Sequence, residues 1–144
     1  MGRLVERNVA VLLLYNDDGN VLLQHRSEDA LRFPGFWGFF GGGIEENETP
    51  GDALIREIRE ELGYEITNPE YFGAMEFTAA ANEGKIFLFL ERFDASQKIV
   101  QREGQGMGWF DPLKLSDLKV IPHDKPIIES AGKSIRQKAS NGKV

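Results

Sequence analysis

The chain contains no cysteine, so disulfide bonds and thiolate metal sites are excluded. Only two histidines occur, His25 and His123, and their separation does not suit a shared metal. Both read as structural or surface residues. Basic residues are outnumbered, 17 Lys and Arg against 23 Asp and Glu, for a formal net charge of -6. A general binder of nucleic-acid polymers needs a basic face, and this balance argues against one. An anionic small substrate stays open, because a bound cation can invert the local field. No apolar run approaches the length of a membrane span, and Met1 to Asn8 has no signal-peptide pattern. No membrane association is therefore expected, and the cytoplasm is the default location.

The 144 residues suffice for one domain, 1–144, with a sizeable core. Asn8 to Tyr15 reads as a buried strand, Asn16 to Gly19 as a turn, and Asn20 to Arg26 as the hairpin partner. Ser27 to Gly35 is a loop. Phe36 to Phe40 is an aromatic strand running into Gly41-Gly42-Gly43, where the backbone can approach a ligand closely. Thr49 is the expected N-cap of a helix, Pro50 its first residue, Asp52 a capping-box-like partner, and Gly63 the C-cap. Leu54, Ile55, Ile58 and Leu62 make its apolar stripe. Tyr71 to Ala79, Lys85 to Phe93 and Gly106 to Phe110 are further strands. Leu113 to Leu118 is a short helix or turn. Lys125 to Lys138 is a final helix, with fraying expected over Ser140 to Val144. Interspersed strands and helices point to an α/β sheet with helices packed on it.

The first helix carries an anomaly. Glu57, Glu60 and Glu61 recur at i, i+3 and i+4, which puts three carboxylates on one helix flank. Like charges at that spacing weaken a helix. A hard divalent cation with oxygen ligands turns the repulsion into a binding site. The bland alternative is a solvated acidic face.

The run Gly42, Glu48, Arg56-Glu57-Ile58-Arg59-Glu60-Glu61-Leu62-Gly63-Tyr64 resembles the signature box of the Nudix hydrolases, over residues 42–64. Only Tyr64 departs from it, standing where an aliphatic residue is usual. Trp37 to Gly42 is similar to the family's approach to its box, with Phe40 where proline is common. Glu103-Gly104-Gln105 ahead of Trp109 resembles MutT-like members.

The resemblance implies the Nudix fold, an α/β/α sandwich around a mixed β-sheet. It implies Mg²⁺- or Mn²⁺-dependent hydrolysis of a nucleoside diphosphate linked to a group X. By the same resemblance Glu57, Glu60 and Glu61 are metal ligands, joined by the carbonyl near Gly42. Glu57 is the candidate general base, with Glu103, a loop carboxylate, as fourth ligand or rival base and Glu83 as a weaker rival. Arg56 orients Glu57, and Glu48 reaches the metal through water or braces the loop. The resemblance leaves a homodimer open.

Substrate contacts are less marked. Trp37, Phe36 and Phe33 could stack on a base or fill core. Asp124 stands where MutT-like members read the purine edge with Asn; its plain alternative is to cap the last helix. Marks of ADP-ribose, dinucleoside-polyphosphate and NADH hydrolases are absent, and the CoA-type pattern is half met. The expectation is a MutT-like (deoxy)nucleoside triphosphate pyrophosphohydrolase. Alternatives are hydrolysis of a diphosphate conjugate (nucleotide sugar, CoA or dinucleotide) or a non-catalytic nucleotide-binding regulator.

Overall fold

A computed structural model describes residues 5–79 and 81–141. Expectations for Met1 to Leu4, for Ala80 and for fraying at 142–144 lie outside the described residues. The elements are β1 (Val5–Glu6), β2 (Val9–Tyr15), β3 (Val21–His25), β4 (Trp37–Gly38), β5 (Phe40–Gly43), α1 (Pro50–Leu62), β6 (Glu70–Ala79), β7 (Asn82–Arg92), β8 (Gly106–Phe110) and α2 (Lys125–Asn141).

The eight strands form one mixed sheet. At its centre β2 lies parallel to β7, with Val9 opposite Ile86 and Tyr15 opposite Arg92. On its other edge β2 meets β5 and β3, both antiparallel. β6 pairs with β7, and β8 with β3, also antiparallel. Burial on both faces explains why β2 is apolar throughout rather than alternating. Ala10, Leu12 and Leu14 join the layer that holds Ala53, Leu54, Ile58 and Leu62 of α1. Val11, Leu13 and Tyr15 join the layer that holds Ile128, Ala131 and Ile135 of α2. The result is the expected α/β/α sandwich. Among the described residues no helix is long and apolar enough to cross a membrane.

Two local readings are corrected. Phe36 to Phe40 is not one strand: β4 and β5 flank Phe39 and pair with different neighbours, β3 and β2. A chain that changes partners cannot keep one register. Asn82 to Gly84 lies inside β7, not in a hairpin loop, so Glu83 sits opposite Thr78 and Glu6 on the sheet. Of the two alternatives for Leu113 to Leu118, helix or turn, the structure shows turns.

The caps of α1 form as expected. Thr49 Oγ1 accepts from the Asp52 N–H at 3.1 Å, and Gly63 closes the helix in the left-handed conformation. Leu54, Ile58 and Leu62 are fully buried, while Ile55 is only half-buried and Ala53 takes part of its share. That packing fixes the rotation of α1 and therefore the direction of its carboxylates. Ile58→Ala should cost about 2–5 kcal/mol of stability in urea unfolding, whereas Thr49→Ala should cost about 1 kcal/mol. Equal losses would show that packing does not dominate the helix's placement.

Candidate active site

Strand β5 and helix α1 meet at unusually close range, and glycine makes this possible. A Cβ on Gly42 would fall 2.5 Å from Cδ of Glu57. At Gly41, φ is 138° and a Cβ would overlap the Ala10 carbonyl oxygen of β2. Both positions therefore need glycine, so that helix carboxylates can rest on strand backbone.

Glu61 uses that space. Its Oε1 accepts the Gly41 N–H at 2.7 Å, and the residue is only 3% exposed. Burial, then the facing Glu103 carboxylate, push its pKa up to about 9; Glu57 pushes the same way, against the Gly41 hydrogen bond. A buried carboxyl in this position needs either a proton or a cation.

Arg56 organises the other flank. Its Nε and Nη2 donate to Glu48 Oε2 and Oε1, each at 2.8 Å. Its Nη1 donates to Glu57 Oε1 at 2.8 Å, and Nη2 also reaches the Gly43 carbonyl oxygen at 3.0 Å. Glu48 accepts the Glu45 N–H as well. The Arg56 contact, then that N–H, hold the Glu48 carboxyl down at about 2. Glu48 is thus a brace for Arg56. Arg59 pairs with Glu65 outside the site.

The expected residues are therefore gathered unevenly. Glu57 lies against Gly42, Glu61 against Gly41, and Glu103 faces Glu61. Glu60 does not: its side chain is 61% exposed, and its carboxylate lies 3.9 Å from Arg56 Nη1. Among the described residues no three His, Asp or Glu side chains already surround a single point. The donor chemistry nonetheless fits a hard divalent cation: every donor is oxygen, and the buried Glu61 carboxyl faces a second carboxylate, Glu103.

Beside Gly41 and Gly42 opens a cavity lined also by Arg7, Arg26, Arg32, Phe33, Phe77, His123 and Asp124. Asp124 forms its buried end. It accepts the Phe39 N–H, so its side chain is occupied there. Burial pushes its pKa up to about 7, against the pull of that N–H and of Arg26. His123 Nε2 lies 3.3 Å from Asp124 Oδ1. Burial lowers the His123 pKa, so it disfavours the charged form of both partners in this contact.

Three sequence readings change here. Trp37 stacks on His25 with centroids 4.3 Å apart and meets Phe110 edge-on, away from the cavity. Phe36 packs on Phe33 and under Lys119, also off the cavity wall. His123 is a cavity residue between Phe33 and Phe77, rather than a bland one. Arg7, Arg26, Arg32 and Phe77 had no motif to announce them. Their only signal was that each adjoins a segment already singled out.

A family model described as NUDIX domain matches residues 5–131. The chain is 31% identical over 123 residues to the CTP pyrophosphohydrolase of Escherichia coli (strain K12), covering 83% of this chain and 87% of that protein. It is 35% identical over 128 residues to the nucleoside triphosphatase NudI of Escherichia fergusonii, covering 80% and 90%. The MutT protein of Methanosarcina mazei Go1 shares the fold with a TM-score of 0.78 at 19% identity, covering 93% of this chain and 96% of that one.

The folded-state pKa of Asp124 is raised above its ordinary value. The folded protein then holds a proton that the unfolded chain releases, so this stability is present at low pH and is lost as pH rises from about 4 to about 7. Asp124→Asn should remove that loss. The stability difference between wild type and variant should change by up to about 4 kcal/mol between pH 4 and pH 8, read from denaturant unfolding. Parallel pH curves would refute a neutral buried Asp124.

Proposed function

This chain belongs to the Nudix family of hydrolases acting on phosphoric anhydrides, and on that footing we propose that it hydrolyses a nucleoside triphosphate to a monophosphate and pyrophosphate. The substrate class is supported by the two relatives of 31% and 35% identity, whose names state action on CTP and on nucleoside triphosphates. The observation that carries the reading is the joining of two features. Glu57, Glu61 and Glu103 gather on the glycine strand, and the same glycines line a cavity that ends at a buried hydrogen-bonding group, Asp124.

Mg²⁺ or Mn²⁺ would be held by Glu57, Glu61 and the carbonyl near Gly42, with Glu103 as a further donor. When bound, it would supply charge neutralisation for the anhydride oxygens and acidify a water. The chain's own residues account for the rest. Arg56 engages Oε1 of Glu57, which leaves Oε2 to accept a proton from the attacking water. The water oxygen bonds to phosphorus, the bridging P–O bond breaks, and the bridging oxygen departs with the leaving product. Glu48 keeps Arg56 from swinging, so the proton acceptor is held in one orientation. Phe33 and Phe77 flank the cavity beside His123 and suit the faces of a base. Asp124 suits the base's polar edge, offering a donor as well as an acceptor when protonated. Glu60 lies outside the contacts and would join only after a rotamer change.

Glu57→Gln should lower kcat about 10²- to 10⁴-fold while leaving the melting temperature of the metal-free protein within a few degrees. Mass analysis of products from nucleoside triphosphates with Mg²⁺ gives the reading. Full activity in the variant would sink the role of Glu57. Release of single phosphates in place of pyrophosphate would sink the reaction. Saturating Mg²⁺ should also raise the melting temperature of the wild type, and much less so that of Glu61→Gln; an equal rise would place the metal elsewhere.

A further inference from the structure

Three guanidiniums share the cavity wall, from two separate segments: Arg7 between β1 and β2, and Arg26 and Arg32 in the loop that joins β3 to β4. In a chain of net charge -6 this is a local excess of positive charge. The excess is unfavourable as it stands. Burial, then the charge of Arg32, weaken proton binding by both Arg7 and Arg26, and Arg26 adds to the effect on Arg7. Arg7 and Arg26 nonetheless stay charged at neutral pH because guanidinium is so basic.

Four arginines outside the cavity are neutralised. Arg56, Arg59, Arg92 and Arg136 each meet a carboxylate. Among the described residues, Arg7, Arg26 and Arg32 form no such ion pair. Arg26 Nε instead donates to the Arg32 carbonyl oxygen at 2.8 Å, which holds the two residues together. Arg7 lies beside Gly43, where a Cβ would be 3.3 Å from its Nη1, and it feels the charge of Glu57. Arg26 feels Glu103, Asp124 and Glu61. The trio thus shares one cavity with the buried Asp124 and with Gly41 and Gly42, against which Glu61 and Glu57 rest.

We propose that Arg7, Arg26 and Arg32 form an anion cradle that counts phosphates, favouring a triphosphate over a diphosphate. The proposal rests on the hydrolase reading for its substrate. A triphosphate carries more negative charge and more non-bridging oxygens than a diphosphate. Guanidinium forks engage such oxygens in pairs. Filling the cradle also cancels the repulsion among the three arginines, and each added phosphate cancels more of it.

The test uses the whole chain without metal and titrates inorganic tripolyphosphate and pyrophosphate by calorimetry. Wild type should bind tripolyphosphate at least about tenfold more tightly. Arg7→Gln and Arg32→Gln should each weaken tripolyphosphate about tenfold or more, pyrophosphate much less, and flatten the salt dependence. Arg32→Lys, which keeps the charge and loses the fork, should fall between. Equal weakening of both anions, or none, overturns the cradle. Turnover separates the two readings. If nucleoside triphosphates are hydrolysed and kcat/KM is unchanged in the glutamine variants, the cradle fails and the hydrolase stands. If no triphosphate is hydrolysed yet the arginine-dependent discrimination between the two anions persists, the hydrolase reading fails and the cradle stands.

Discussion

The whole site depends on how near α1 can lie to β5. Two glycines without side chains let Glu57 and Glu61 touch the strand, and the Gly41 N–H gives Glu61 a fixed partner. Buried leucine and isoleucine on the opposite face press the helix into that position. Hydrophobic burial therefore holds together an arrangement of like charges that electrostatics alone would push apart. Any loosening of the apolar face would be felt first as motion of the carboxylates.

Arg56 is the second element of this balance. It sits among Glu45, Glu48, Glu57 and Glu60 and neutralises them unequally. Glu48 takes two of its donors and Glu57 only one. That inequality leaves one oxygen of Glu57 outside the Arg56 contacts while both oxygens of Glu48 are engaged, although both residues belong to the same short stretch of chain. Residues that look alike in the sequence acquire different chemistry through the number of hydrogen bonds each receives.

What could be read from the sequence was local. The caps Thr49 and Gly63, the stripe of α1 and the flank of glutamates all follow from helical spacing, and the structure keeps them. The central strands were legible because burial on both faces leaves an unbroken apolar run. The aromatic stretch before the glycines misled, since Trp37 and Phe40 lie in strands with different partners, a tertiary choice that side-chain type does not encode. Glu60 misled for another reason: helical spacing sets a direction within a broad arc, and a competing cation, Arg56, decides where the side chain ends. The arginines of the cavity were invisible because Arg7 comes from a different segment than Arg26 and Arg32, and the three share no motif spacing. His123 was undervalued because the stacking of Phe77 on it depends on β6, far away in the chain.

The parallel pairing of β2 with β7 has a consequence for the order of synthesis. β2 is a seven-residue apolar strand, and its partner on one edge ends at Arg92. While the first half of the chain emerges, β3 and β5 can cover only the other edge. The nascent polypeptide must therefore carry an uncovered, sticky strand edge until more than half of it has been made. The cavity wall at Phe77 and Ile86 does not yet exist at that stage, so Arg7, Arg26 and Arg32 are made before the wall that encloses them.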